Sequence, residues 1–232
     1  MSPMYFSLIA PAEGRVHEAL QQRLAGPYAD HQWLWRWFPA DAGSPRDFVF
    51  RRHDGDGLPR FYAVSARQPV ALGGAWQVQT REYAPALQIG DAFSFELRAN
   101  PTVRHGRDGK SKRHDVVMEA KKKLLAAQGL QRWSDWTDEA KPAVQTLVQD
   151  ACTDWLARRG EGLGFELQRE TVLVEAHQQN RERADQSLSF TTVDIAGRLT
   201  VTDASAFIQA LRSGIGSARA FGCGLLLIRR LE

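Results

Sequence analysis

The sequence runs to 232 residues, 43% hydrophobic and 25% charged, with apolar material enough for a buried core arranged as one large unit or two small ones. No run approaches the roughly 18 consecutive apolar residues of a membrane span. Met1 to Ala10 is also too short, and lacks the basic leader, for a signal peptide, so a cytoplasmic protein without a membrane partner is expected. A net charge of +3 and a pI near 9.0 are mildly basic, and such an excess favours polyanions only where it is clustered. The two cysteines, Cys152 and Cys223, lie far apart without CxxC spacing or nearby ligand partners, which points to reduced, largely buried thiols and away from zinc.

Tyr5 to Ala10 reads as a short buried strand. The segment that follows, to Leu24, has helical spacing at Val16, Leu20 and Leu24 and closes at Gly26-Pro27. A second helix is expected over Asp30 to Phe38, where Leu34, Trp37 and Phe38 share a face and Pro39 ends the run. Asp47 to Arg52 and Arg60 to Ser65 flank the turn signal Asp54-Gly55-Asp56-Gly57 and predict an antiparallel hairpin. Ala75 to Arg81 is a further strand, and in Ala92 to Ala99 the apolar Phe93, Phe95 and Leu97 alternate with polar neighbours.

Asn100 to His114 is polar, basic and without apolar period, and reads as an exposed loop. Helices are expected over Val116 to Leu125 and over Thr137 to Arg159, the latter opening with an Asp-Glu pair and closing at Arg158-Arg159-Gly160 as a helix dipole favours. Strands over Gly164 to Ala176 and Ser187 to Val201, a helix over Thr202 to Arg212 and a last strand over Leu225 to Leu231 complete the chain. The second half thus has the order strand, helix, strand, strand, helix, strand of a ferredoxin-like unit, and the first half reads as a shorter copy. The expected fold class is α+β with two tandem ferredoxin-like (RRM-like) domains, 1–90 and 91–232. No sequence repeat links the halves, so the duplication rests on element order.

Gly214 to Gly224 packs four glycines and Arg219 between a helix and the final strand. Glycine lets a backbone approach a ligand and exposes amide donors to an anion, with Arg219 placed to meet a phosphate or a base edge. A plain flexible helix-to-strand turn explains the same composition. The loop is not a Walker loop, since no Gly-Lys-Ser/Thr follows. It is not a dinucleotide fingerprint either, since a strand follows and not a helix. Arg104, Arg107, Lys110, Lys112 and Arg113 form a cationic run, with Lys121 to Lys123 beyond it; the latter reads equally as a solvated face. Among seven tryptophans, Trp37 and Trp155 sit at core spacing, whereas Trp33 and Trp35 are open between core and base stacking.

The helix, Gly-rich loop, strand order with its GhG-x5-GhG pattern resembles the repeat-processing endoribonucleases of CRISPR systems. Two further segments carry the resemblance to the CasE family. One is Tyr28-Ala29-Asp30-His31-Gln32-Trp33-Leu34-Trp35-Arg36-Trp37-Phe38-Pro39 with Arg46-Asp47-Phe48 downstream, and the other is Leu97-Arg98-Ala99-Asn100-Pro101. The resemblance spans nearly the whole chain and implies His31 as the catalytic residue, in general base or acid role, with Tyr28 positioning or protonating. Without it, His31 is one of six histidines near a helix start, a common capping or surface position. Pro11 to Gly26 departs from the family as an insertion-like stretch and leaves open whether His31 stands on a helix or the loop before it.

The implied chemistry needs no metal and no cofactor. RNA supplies its own 2′-hydroxyl nucleophile, and the protein aligns it, moves two protons and stabilises a phosphorane, leaving a 2′,3′-cyclic phosphate and a 5′-hydroxyl. No HExxH, plausible DxD or Cys/His ligand spacing is present, and His105 and His114 are poor ligands beside so many cations. The residues expected to hold RNA are Arg98, Arg104, Arg107, Lys110, Lys112, Arg113, Gly214, Gly216, Arg219, Gly222 and Gly224. A cation from Lys110, Lys112 or Arg113 is expected to reach the reacting phosphate. The expected partners are a CRISPR repeat hairpin and the other subunits of a Cascade complex in which the product stays bound. A noncatalytic RNA-binding module is the competing reading, although the RNP1 pattern of ordinary RRM domains is missing.

Overall fold

The computed structural model describes residues 3–22, 26–41, 43–55, 57–107, 110–183 and 187–231. Strand β1 (Tyr5–Pro11) leads into helices α1 (Val16–Gln21) and α2 (Pro27–Trp35), then β2 (Phe48–Gly55), β3 (Leu58–Ser65) and β4 (Trp76–Glu82). These strands form an antiparallel sheet in the order β2-β3-β1-β4. That is the ferredoxin-like order; no helix lies between β3 and β4, so the unit is shortened as its sequence suggests.

The second unit contains β5 (Ala92–Ala99), β6 (Thr102–Arg107), β7 (Lys110–Asp115), α3 (Val116–Ala127), α4 (Val144–Leu163), β8 (Phe165–Arg183), β9 (Ser187–Val201), α5 (Ala204–Ser213) and β10 (Leu226–Arg230). Its sheet runs β10-β5-β9-β8, the same ferredoxin-like order, and β6-β7 is a separate ribbon inserted between β5 and α3. The protein is therefore α+β with two tandem ferredoxin-like sheets.

Two expectations change. The basic stretch after β5 is no loop but the β6-β7 hairpin, whose strands pair from Thr102 with Asp115 to Arg107 with Lys110; it lacks apolar alternation because much of it faces solvent. The long helix begins at Val144, seven residues later than its charges suggest. The Asp138 carboxylate accepts from the Trp136 indole (2.7 Å) and the Ala140 amide (2.9 Å) in a turn, and Pro142 bars helical geometry before it. The helix then runs past Arg158-Arg159-Gly160 and stops at Gly164, in the left-handed region at φ 77°.

Strand β2 is buried on both faces, and this positions the site. Phe48 and Phe50 face the first core with Trp33, Leu34, Trp37, Phe38, Phe61 and Trp76. Val49, on the alternate face, joins Met4, Val64 and Leu225 in a smaller cluster that welds the first sheet to the segment entering β10. The larger core of the second unit gathers under α3, α4 and α5, with Trp155, Leu156, Phe165, Phe207 and Leu211 at its centre.

Candidate active site

Gly26, at φ 91°, hands the chain to Pro27 in the first turn of α2, which places Tyr28 in that turn and His31 one turn further along the same face. The question left by the sequence is thereby answered: His31 stands on the helix. The helix is fixed from beneath by Trp33 and Leu34 in the aromatic core, and by the buried Asp30 carboxylate, which accepts from Arg52 Nη1 of β2 at 3.0 Å. Trp33 is thus core, while the partly exposed Trp35 serves the site: its indole donates to His31 Nε2 at 3.3 Å and its ring meets Phe48 edge-on. In this geometry Nε2 is an acceptor and the proton of a neutral ring sits on Nδ1, which is buried without a hydrogen-bond partner. Burial first, and the Arg46 cation second, hold the imidazole pKa below its usual value; the Ala220 backbone works the other way and does not reverse the shift. The shift favours the neutral form of the imidazole. Tyr28 is exposed, and its hydroxyl accepts from Gln32 Nε2 at 3.2 Å.

Arg46 enters from the loop before β2. A clamp sets that loop: Arg67 donates to the Asp47 carboxylate (2.6 and 3.3 Å) and to the Phe38 carbonyl (2.9 Å). The Arg46 guanidinium lies over Phe48, 5.8 Å from the ring centre, and its Nε and Nη1 are buried without a hydrogen-bond partner. Burial and then the Arg219 charge lower its pKa to about 10, which leaves it cationic at neutral pH.

Facing this wall is the Gly214 to Gly224 segment, and its glycines serve packing more than anion binding. All four have positive φ, between 74° and 93°. A Cβ on Gly214 would meet Val49 at 2.9 Å, on Gly222 Phe50 at 3.3 Å, on Gly224 the Ile215 carbonyl at 2.8 Å, and on Gly216 Trp155 at 3.1 Å. The Gly214 amide donates to Ala210, that of Ile215 to Gly224, and that of Gly224 to the Arg98 carbonyl. Gly222 and Gly224 are buried and Gly214 and Gly216 partly so, and the segment forms a close-packed joint between the two units, with Gly216 lining the cleft described next. The joint turns Arg219 and Phe221 outward. Phe221 stacks on Phe190 of β9 (5.4 Å, 27°) and closes on the His31 ring at 5.7 Å.

Between the walls lies a cleft of about 610 Å³, lined by Arg46, Thr102, Arg113, Gly216, Arg219 and Phe221 among others. The Ser217 hydroxyl shares a hydrogen bond with Thr102 (3.0 Å) and donates to the Asn100 carbonyl (3.1 Å), tying the Gly-rich segment to the base of the hairpin. The hairpin register opposes Arg104 to Arg113 and Arg107 to Lys110, and the Arg104–Arg113 pair sets two like charges across from each other. Of these, exposed Arg113 lines the cleft, while Arg104 lines a separate pocket with His105 and Glu119. The side chains of Arg107, Lys110 and Lys112 lie outside the described part of the structure.

Arg98 is not brought to this cleft. Its guanidinium forks onto Asp194 of β9 (2.9 and 2.8 Å), which raises its pKa, and it borders another pocket of about 430 Å³ with Arg51, Glu96 and Asp194. Arg98 thus has structural partners on both its side chain and its backbone, since its carbonyl also receives the Gly224 amide. Arg51, nearly buried on β2, reaches across to Glu96 (3.3 Å) and Asp194 (3.6 Å). Sequence reasoning passed over Arg46, Arg51, Phe190 and Asp194. Arg46 sits inside a quoted motif, and the unbroken apolar run Phe48-Val49-Phe50 marks a strand buried on both faces, a signal that the next residue, Arg51, is buried too.

Comparison with known proteins places this geometry in context. A family model described as CRISPR associated protein matches residues 4–230. The chain is 30% identical over 208 residues to the CRISPR system Cascade subunit CasE of Escherichia coli, covering 88% of this chain and 92% of that one. It is 26% identical over 228 residues to the CRISPR-associated endoribonuclease Cse3 of Thermus thermophilus, covering 90% and 93%. A solved structure of CRISPR endoribonuclease Cse3 bound to 19 nt RNA superposes with a TM-score of 0.67 at 24% identity, covering 98% of this chain and 99% of that one. The crystal structure of Cas6e from Escherichia coli gives 0.61 at 24%, covering 98% and 100%. At these identities the superpositions speak for the fold.

Proposed function

The chain belongs to the family of CRISPR associated proteins, and from that membership we propose that it is a metal-independent endoribonuclease that cuts CRISPR repeat hairpins in precursor RNA. In this reading the domains are 1–90, which carries His31, and 91–232, which supplies the hairpin and the Gly-rich wall. The observation that carries it is the imidazole of His31 packed at 5.7 Å against Phe221, a residue that lines a cleft also bearing Arg46, Arg113 and Arg219.

Neutral His31 takes the proton of the ribose 2′-hydroxyl on Nε2, where the hydroxyl replaces the Trp35 indole, as that oxygen attacks the phosphorus. The P–O5′ bond breaks as the 2′-O–P bond forms, and the leaving oxygen receives a proton, with Tyr28 on the same helical face positioned as its source. The products carry a 2′,3′-cyclic phosphate and a 5′-hydroxyl. Arg113 and Arg219 hold the backbone of an A-form stem, a surface read by shape and phosphate more than by base edges. The product stays bound, and the protein acts as a subunit of a Cascade complex, as the name of its Escherichia coli relative, a Cascade subunit, supports. Among the described residues no helix is long and apolar enough to cross a membrane, and the reading places the protein in the cytoplasm.

The test is incubation of the purified protein with repeat hairpins in excess EDTA. Cutting at one site, with a 3′ fragment end that resists phosphatase until acid opens the cyclic phosphate, is the expected result. Tight binding without cutting points to the noncatalytic RNA-binding module, and cutting only after metal is restored contradicts the mechanism.

A further inference from the structure

The most unbalanced group on the cleft is Arg46. Among the described residues it has no carboxylate partner, and two of its nitrogens are buried without an acceptor. Charged groups in proteins are costly to bury unless something answers the charge. Its neighbours make matters worse. The second strongest influence on it is another cation, Arg219, across the cleft, and His31 beside it is a further base. Asp115, the carboxylate that lines the same cleft, gives Oδ1 to the first amides of α3 at 2.9 and 3.0 Å, and its Oδ2, though buried without a partner, makes no ion pair with Arg46 among the described residues. Asp47, next in the chain, is held by Arg67. What is missing is an anion between two guanidiniums, within reach of a neutral imidazole.

Resting on the ribonuclease reading, we propose that Arg46 is a catalytic residue that contacts the scissile phosphate and, with Arg219 opposite, stabilises the phosphorane formed when the 2′-oxygen attacks. A guanidinium presents paired donors to two phosphoryl oxygens, so the added negative charge of the transition state meets a cation already fixed beside it. The position also explains why the cation need not come from the hairpin. Arg46 is set by the Asp47–Arg67 clamp and by Phe48, all within the unit that carries His31, so acid-base group and charge keep a fixed spacing.

The experiment compares the parent protein, Arg46→Gln, Arg46→Lys and the surface control Arg15→Ala on one hairpin. It measures single-turnover cleavage in EDTA, affinity for the same hairpin with a 2′-deoxy nucleotide at the cut, and the pH profile. Removing one such donor from a preorganised site lowers the chemical step by about 10²- to 10³-fold. Arg46→Gln is therefore expected to lose about that much rate while its affinity for the uncuttable RNA falls by less than about tenfold. Its acidic limb is also expected to move to higher pH, because Arg46 opposes protonation of His31. Arg46→Lys is expected to regain part of the rate, since an ammonium keeps the charge without the fork. A Gln variant that cuts within about threefold of the parent overturns the assignment, as does one whose rate and affinity fall by the same factor. If the Gln variant does not fold, the Lys variant decides: a loss of about tenfold in rate at unchanged affinity supports the contact, and parental rate overturns it. A parent that leaves the hairpin intact overturns the ribonuclease reading itself, whereas parent and variants cutting alike overturn only the role of Arg46.

Discussion

The two walls of the cleft are held by different physics. On one side, His31 and Arg46 stand on a helix and a loop pinned by an aromatic core and by two ion-pair clamps, Asp30–Arg52 and Asp47–Arg67. On the other, Arg219 and Phe221 stand on a segment that owes its path to missing side chains, with four glycines pressed against Val49, Phe50, Trp155 and the segment's own backbone. The first wall tolerates changes of packing that preserve volume. The second tolerates added atoms poorly, most of all at Gly224, where a Cβ meets backbone at 2.8 Å, whereas at Gly216 and Gly222 a ring must give by a few tenths of an ångström. In the proposed reading the groups that need a fixed spacing for chemistry share the side-chain-built wall, and the backbone-built wall brings Arg219 opposite them.

The comparison breaks most visibly at Gly224. Gly224→Ala places a Cβ 2.8 Å from the Ile215 carbonyl at a φ of 93°, and the expected loss is about 3 kcal/mol of unfolding free energy in urea, from strain and overpacking together. A loss below about 1 kcal/mol shows that the wall is more pliant than its geometry. Asp194→Ala comes next. It strips the partner from Arg98 and one of two from Arg51, whose side chain is 9% exposed, and about 2 kcal/mol is expected, discounted for the partial exposure of Asp194. Because Arg98 also accepts the Gly224 amide, cleavage is expected to fall with stability in this variant while the Asp30–Arg52 wall is untouched. The smallest effect is in pH. A base with its pKa below the usual 6.5 for histidine is deprotonated, and active, above that pKa and loses activity as pH falls through it. The acidic limb of kcat/KM for the free protein is therefore expected below pH 6.5, and a rate that rises on acidification assigns His31 the acid role instead.

Alternation and turn chemistry carried most of the fold into the sequence. Phe93, Phe95 and Leu97 drew β5, the Asp54 to Gly57 signal drew the first hairpin, and the order of the last six elements drew the second sheet. The β6-β7 ribbon was hidden because strands that pair without a buried face leave no period of two, and the start of α4 because Asp138 and Glu139 imitate a first turn while belonging to a turn. At the candidate site, His31 and Tyr28 were singled out through a motif, whereas Arg46 stood in plain view unremarked, since an arginine's burial and its unpartnered nitrogens are properties of the folded surroundings. The glycines were legible as special but not as packed, because composition cannot tell a backbone opened to a ligand from one closed against a neighbour.

The central claim is that the imidazole of His31 performs proton transfer on bound RNA. The direct measurement is single-turnover cleavage of a repeat hairpin by His31→Ala in EDTA, beside its affinity for the same RNA carrying a 2′-deoxy nucleotide at the cut. The expected result is a rate lowered by about 10²- to 10⁴-fold, the range general acid-base catalysis supplies, with affinity unchanged within about threefold. Cleavage at the parental rate contradicts the account.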